Sequence, residues 1–531
     1  MITVSELSLS FQGEKLFDDV NLVFSPGNCY GVIGANGAGK STFLRVLEGK
    51  IEPDTGHVSI APNHRMSVLE QDHFKYDEEN VIDTVLMGNL RLVEIQRQKD
   101  ALYAKPDFTE EDGILAGQLE EEFAQMDGWS AEAEAASLLQ GIGIDTSFHT
   151  QKMSELSGKD KVKVLLAKTL FGKPEILLLD EPTNDLDIKT ILWLQEFLKD
   201  YEGTVIVVSH DRYFLNDICT HMVDIDYKKI RIFVGNYDFW YESSQLAAKM
   251  IKDANKKKED KIKELQSFIQ RFSANKSKSK QATSRKKLLE KIELDDIQPS
   301  SRRYPFVGFE IGRELGKEVL LVENLSKTID GVELLKDITF RINPYEKVGF
   351  IGNELSITTL FQILSGEMEP DSGTVKWGKT VTLSYFPKDN AKYFESSKLN
   401  LVEWLRQYSK DPMESYLRGF LGKMLFSGDD VYKPTNVLSG GEKVRMMLSR
   451  MMLNDANTII LDQPTSHLDL ESIVAVNNGL ISFKGNIFFS SHDTEFMDTI
   501  ANRIIHIEDD TFENHLMSYH EYIEKFIENK E

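Results

Sequence analysis

The chain has 531 residues, of which 41% are apolar and 28% charged, enough for two or three packed domains. No apolar run approaches the roughly 18 residues that a membrane helix needs, Met1–Glu6 lacks a basic region followed by an apolar stretch, and two cysteines, Cys29 and Cys219, cannot make a disulfide framework, so a cytoplasmic protein is expected. The net charge of −23 argues against a generic polyanion binder, yet fifteen Lys/Arg stand against six Asp/Glu between Lys249 and Glu293.

In chain order, the first clear element is an apolar strand at Tyr30–Ile33, followed by Gly34-Ala35-Asn36-Gly37-Ala38-Gly39-Lys40-Ser41 and a helix from Thr42. This is the G-x-x-x-x-G-K-[ST] phosphate loop in its proper strand–loop–helix context. Its glycines let backbone N–H groups wrap phosphates at a helix N-terminus. Lys40 would reach the terminal phosphates, and the Ser41 hydroxyl would hold Mg²⁺. A Glu-rich stretch around 91–135 then reads as helical, either a solvated helical pair or a partner-binding arm. The apolar strand Ile176–Leu179 ends in Asp180-Glu181; Asp180 is placed on the metal and Glu181 on the attacking water. A second buried strand follows at Thr204–Val208. From Tyr241 to about Ile292 the sequence has helical spacing with one break near Ser273–Ser279, a helical hairpin.

Beyond the hairpin the chain repeats itself. Leu7-Ser8 recurs as Leu325-Ser326 at an offset of 318, Glu52-Pro53-Asp54 as Glu369-Pro370-Asp371 at 317, and Leu156-Ser157-Gly158, Asp180 and His210 as Leu438-Ser439-Gly440, Asp462 and His492 at 282. The first drop falls inside the second phosphate loop, which is one residue short. The second leaves 35 extra residues in the first half between Gln71 and Leu156.

These motifs resemble the ABC ATPase superfamily. The resemblance implies that Ser439-Gly440-Gly441-Glu442 is the signature loop contacting ATP from the opposite cassette, that Asn184–Asp187 is the D-loop, and that Gln71 and His210 are the Q-loop glutamine and switch histidine near the γ-phosphate and metal. It puts Phe11 where an aromatic stacks on adenine, though a lone Phe at a strand end also suits a core. With the phosphate loop (Gly34, Asn36, Gly37, Gly39, Lys40, Ser41, Thr42), these residues form one complete composite site for ATP and Mg²⁺.

The second composite site departs from the pattern throughout. Gly352-Asn353-Glu354-Leu355-Ser356-Ile357-Thr358-Thr359 lacks the inner glycines and has Ile357 in place of the lysine. Gln463 follows Asp462 where a glutamate would act as base, and an amide cannot accept a proton at neutral pH. Lys388 replaces the Q-loop glutamine, Ile329 the aromatic, and Lys159 the second signature glycine; His492 is kept. Hydrolysis is expected at the first site only. Lys388 and Lys159 would partly replace the lost lysine charge, which leaves nucleotide binding at the second site open.

Two cassettes fused through a charged helical linker, without a membrane domain, resemble the ABC-F family, and most closely its YbiT-like branch, by Ser209–Leu215, Gly235–Trp240, the hairpin and the insertion. The expected architecture is therefore α/β: two ABC-type P-loop ATPase domains at 1–240 (with the arm at about 91–135) and 318–531, joined by a basic helical hairpin at 241–317. The resemblance implies a monomer with intramolecular cassette pairing, bound to the ribosome in the E site against 23S rRNA. The hairpin would touch P-site tRNA through Arg271, Lys276, Lys278, Lys280, Arg285, Lys286 and Lys287, and its short break favours translation maintenance over antibiotic protection. The plain alternative for the basic run is a solvated hairpin. The rival function is an ATPase subunit working with a separate membrane protein; a DNA-acting ATPase would need a long coiled coil or zinc-binding cysteines that the sequence lacks.

Overall fold

The computed structural model describes residues 1–11, 13–35, 37–62, 64–70, 72–184, 186–247, 249–250, 253, 256, 302–395, 397–508 and 511–526. Asn36, Gln71, Asp185 and the seven basic residues from Arg271 to Lys287 lie outside them. No helix among the described residues is long and apolar enough to cross a membrane.

The first half contains β1 (Ile2–Phe11), β2 (Glu14–Phe24), β3 (Asn28–Gly34), β4 (Thr55–Ile60), β5 (Met66–Val68), β6 (Ile176–Asp180), β7 (Thr204–Val208), β8 (His221–Asp226) and β9 (Lys229–Val234). They form two sheets, an antiparallel β2-β1-β4 and a six-stranded β5-β6-β7-β3-β8-β9 that is parallel except for its last pair. Parallel strands are covered on both faces, so they read as unbroken apolar runs rather than as alternation. All five residues of β7 and the first four of β6 are buried accordingly.

The second half repeats this arrangement strand for strand. Its strands are β10 (Leu320–Ile329), β11 (Val332–Ile342), β12 (Lys347–Gly352), β13 (Ser372–Trp377), β14 (Leu383–Phe386), β15 (Thr458–Asp462), β16 (Asn486–Ser490), β17 (Arg503–Glu508) and β18 (Thr511–His515). The orders are β11-β10-β13 and β14-β15-β16-β12-β17-β18. In both six-stranded sheets the central strand leads into a phosphate-loop position and its neighbour but one ends at the Asp180 or Asp462 carboxylate. The chemistry therefore collects at the carboxyl ends of the strands, as open parallel sheets dictate.

The insertion is a helical pair, Leu90–Tyr103 and Glu110–Gln125. Arg91 reaches Glu122 at 2.6 Å, Lys99 reaches Glu120 at 2.8 Å, and the Lys99 ammonium sits 3.8 Å from the Phe123 ring centroid. Pairing the start of one helix with the end of the other makes the two antiparallel.

The halves pack by exchange. Leu470, which opens the helix Leu470–Ser482, is buried in the first half's core, and Ile188 and Leu192 of the helix Ile188–Lys199 pack on the second half's core. At the linker's return the buried Arg302 bridges both halves. Its guanidinium donates to Asp224 at 2.5 Å, pairs with Glu471 at 2.8 Å and lies 4.6 Å from the Trp240 ring. Burying a cation costs several kcal/mol unless its partners are placed to meet it, and removing one partner strands the others. Arg302→Ala is therefore expected to destabilise the folded chain by about 3–5 kcal/mol, read as a lowered urea midpoint; an unchanged midpoint would show that the buried ions are solvated rather than paired.

Candidate functional site

The intact loop is kept open by its glycines. Gly37 and Gly39 sit at φ +81° and +97°, and a Cβ on Gly39 would stand 2.8 Å from the Leu16 side chain. Left-handed backbone at both positions stops the following helix from winding backwards. That helix, Lys40–Leu47, begins at the lysine itself. The Lys40 ammonium donates to the Gly34 carbonyl at 2.8 Å, folded back on its own loop.

Around this loop lies a cleft of about 1040 Å³ between the two halves. Phe11, Gly37, Gly39, Lys40, Ser41, Thr42, Asp180, Glu181 and His210 line it from the first half, with Gln463, His467 and His492 facing them from the second. Phe11 is 58% exposed at the end of β1, so one ring face is free to meet a ligand. Ser439, Gly440 and Gly441, which the resemblance puts against the nucleotide, do not line the cleft. Ser439 caps the helix Gly440–Leu453, and Glu442 closes a reciprocal capping box by accepting the Ser439 N–H at 2.8 Å. Both glycines rest against His467, a cleft residue.

Glu181 follows β6 with φ 51°, and its two carboxylate oxygens lie 3.3 Å from His210 Nε2 and 3.2 Å from the His210 backbone N–H. Burial pushes the Glu181 carboxyl up to about 8, with Asp180 adding repulsion against the pull of Lys40. Burial, helped by the Lys40 charge, holds His210 down to about 4, so its imidazole is neutral, and its buried Nδ1 has no partner among the described residues. Burial lowers Lys40 as well. An anionic ligand with its own cation would meet a recessed lysine, a neutral imidazole and a carboxyl at hydrogen-bond range.

For Mg²⁺ the chain supplies two oxygen donors at the cleft wall, the Ser41 hydroxyl and the Asp180 carboxylate. No cluster of three or more His, Cys, Asp or Glu among the described residues could hold a metal alone. Few protein ligands, with phosphates and waters completing the shell, is the arrangement Mg²⁺ favours, and the donor set fits it.

The second half closes the corresponding place. Its helix Glu354–Ser365 starts three residues before Ile357, the position equivalent to Lys40, and Asn353 caps it by accepting the Ser356 N–H at 3.1 Å. Ile357 is buried in the core. Thr358 donates to one oxygen of Asp462 at 2.8 Å and Ser490 to the other at 3.1 Å. Gln463 repeats the left-handed turn of Glu181 at φ 52°, but its buried amide oxygen has no partner among the described residues. Lys159, Lys388 and His492 converge on Glu354, at 2.6, 2.5 and 2.8 Å. The charges expected to replace a missing lysine thus face a carboxylate of the chain. Sequence reasoning did not single out Glu354; the signal was an acid inside a loop whose surroundings gain two lysines.

Fold and cleft define a twin-cassette ATPase. Residues 17–184 and 335–466 match the family described as ABC transporter, and residues 223–309 match an extension of the same description. The chain is 64% identical to the "Uncharacterized ABC transporter ATP-binding protein YkpA" of Bacillus subtilis, over 99% of this chain and 97% of that one. It is 44% identical to the "Probable ATP-binding protein YbiT" of Escherichia coli O157:H7, over 98% and 99%, and 33% identical to the "Energy-dependent translational throttle protein EttA" of Mycobacterium tuberculosis, over 94% and 90%. An archaeal ribosome recycling factor, aABCE1, solved with a ribosomal stalk protein, shares the fold at a TM-score of 0.62 and 17% identity, covering 99% of this chain and 92% of that one. The chain belongs to the ABC-F family of twin-cassette ATPases.

The contrast between the two halves sets unequal costs for mutation. Lys40→Ala should reduce ATP turnover on the order of 10²–10³-fold, the scale of losing one positioned charge donor. Thr358→Ala should leave turnover at the wild-type rate. Steady-state phosphate release checks both; equal losses in the two variants would show two working sites.

Proposed function

We propose that this protein is an ATP-dependent translation factor that binds the ribosome in the E site, against 23S rRNA, with the 241–317 segment toward P-site tRNA. Hydrolysis at one composite site drives its release. The observation that carries the single-site part is the cleft itself: Lys40, Ser41, Asp180, Glu181 and His210 stand together on one side, while the matching place in the second half is filled by Glu354. Support for the ribosome comes from the relative whose name is a translational throttle and whose likeness runs through nearly the whole chain. The basic run Arg271–Lys287 adds the charge such a target needs.

In this reading Ser41 and Asp180, with Gln71, hold Mg²⁺, which supplies charge neutralisation at the terminal phosphates. Lys40 and the loop amides bind the phosphates, and Phe11 stacks on the base. Glu181 orients the attacking water and takes its proton, with His210 fixing the carboxylate. The Ser439-Gly440-Gly441 loop completes the site as the cassettes close. ATP drives closure because it touches both halves only in the closed form, which is the differential affinity a conformational change requires. The chain is a monomer whose two cassettes pair within one molecule.

Ribosome co-sedimentation of Glu181→Gln protein tests the reading. The expected result is pelleting with ATP and not with ADP, weakening as salt rises. If all seven basic residues contact phosphates, affinity should fall on the order of 10³-fold between about 50 and 200 mM salt. No association with either nucleotide would overturn the ribosomal assignment and favour an ATPase subunit serving a membrane partner.

A further inference from the structure

The second composite site holds a cluster that neither ATP hydrolysis nor ribosome binding uses. Glu354 opens the twelve-residue helix that replaces the phosphate loop, and its carboxylate accepts three donors. Lys159 Nζ, from the first half's signature loop, lies 2.6 Å from Oε1; Lys388 Nζ lies 2.5 Å from Oε2; His492 Nε2 lies 2.8 Å from Oε1. By the internal repeat these donors occupy the positions of Gly441, Gln71 and His210 in the intact site, the positions assigned to a terminal phosphate and its metal. One anionic group thus sits where three phosphate-facing positions converge, and it belongs to the chain. The His492 hydrogen bond, with those of Lys159 and Lys388, holds the Glu354 carboxyl well below the usual carboxylate range, so the charge it presents is permanent at neutral pH.

We propose that the second composite site is an anion-binding site whose occupant is Glu354, a built-in stand-in for the terminal phosphate that joins the two cassettes and excludes nucleotide. Three features make the occupation stable. The helix N-terminus favours an anion at this place. Asn353 already caps the amide that a phosphate oxygen would need. Ile357 puts a buried methyl group where a lysine would have to swing outward. The bond that matters mechanically is Lys159–Glu354, because it alone of the three crosses from one half to the other. Lys159 and Lys388 are about half exposed, so each ion pair alone is weak in water; three donors on one carboxylate form a network, and added salt should loosen it. Closure on this side then needs no ligand, and ATP governs the other side only.

The test uses the full chain with spin labels on Glu155→Cys and Glu369→Cys, exposed positions on the two halves; Cys29 and Cys219 are buried. Pulsed dipolar distance measurement without nucleotide should give one narrow distance distribution that ATP leaves unchanged. Lys159→Ala and Glu354→Gln should each lose that population, and Lys159→Arg should keep it. The comparison of wild type with the Lys159 and Glu354 variants is made without nucleotide, so it does not depend on which site hydrolyses or on the ribosome. Equilibrium dialysis of ATP against Glu181→Gln protein should give one nucleotide per chain. A wild-type distance that shortens with ATP, a Lys159→Ala distribution identical to wild type, or two bound nucleotides would each overturn the proposal. Lys159 is a surface side chain, so its removal tests the contact without endangering the fold.

Discussion

A phosphate-binding loop functions only while the backbone N–H groups ahead of its helix stay unpaired, and the chain's natural tendency is to pair them by winding the helix back. Residues at Gly37 and Gly39 resist that winding because their positive φ values are outside the helical region. Where the repeat loses both glycines, the helix gains a further turn, starts at Glu354 and takes an asparagine cap. Three further differences accompany that turn. Ile357 is carried into the core instead of toward a ligand, and Asp462 is left to Thr358 and Ser490. Glu354 is delivered to the centre of three cationic or neutral donors.

The halves nevertheless need each other, for reasons unrelated to ATP. Leu470 completes the first core and Ile188 with Leu192 the second, so apolar burial favours the paired arrangement whether or not nucleotide is present. Arg302 adds a directional term, since its planar fork satisfies Asp224 and Glu471 together only when the halves are in register. A degenerate second half is therefore tolerable as a partner: it still supplies the cleft wall around His467 and Gln463.

How much of this was legible beforehand depended on the range of the interaction. The repeat offsets and the apolar runs at Ile176–Leu179 and Thr204–Val208 pointed to paired α/β cassettes, because strand burial is a local signal. The loss of lysine at position 357 was visible for the same reason. The partner of Lys159 was not, since it lies 195 residues away and is reached only after the cassettes dock; from sequence, a lysine near a lost lysine reads as its substitute. Glu442 was expected only as a nucleotide contact by resemblance, and its Ser-x-x-Glu spacing, a capping-box signature, was passed over. The structure shows the capping bond, a contact that three-residue spacing alone encodes. The tail of the linker reveals the converse limit, because nothing in the local sequence of Arg302 shows that it will be buried between two acids from different halves.

Glu471 lies in the first turn of the helix Leu470–Ser482, and the preceding Ser466, His467 and Leu468 border the cleft. The same carboxylate holds Arg302, where the linker returns to the body, and its field is felt at Lys40. Displacing Ser466–Leu468 relative to the first half would either carry Arg302 along or separate its buried guanidinium from Glu471, and losing one partner of a buried cation is costly. On the proposal that Glu354 joins the cassettes, a pair fixed on that side and free on the Lys40 side would move as a hinge rather than as two separating jaws. Arg302 is paired with Glu471 just beyond the cleft-lining Ser466–Leu468, so under the same proposal an opening at site one would turn this anchor about the fixed side. Two independently opening sites would instead allow the halves to translate apart, which would pull Arg302 between Asp224 of one half and Glu471 of the other.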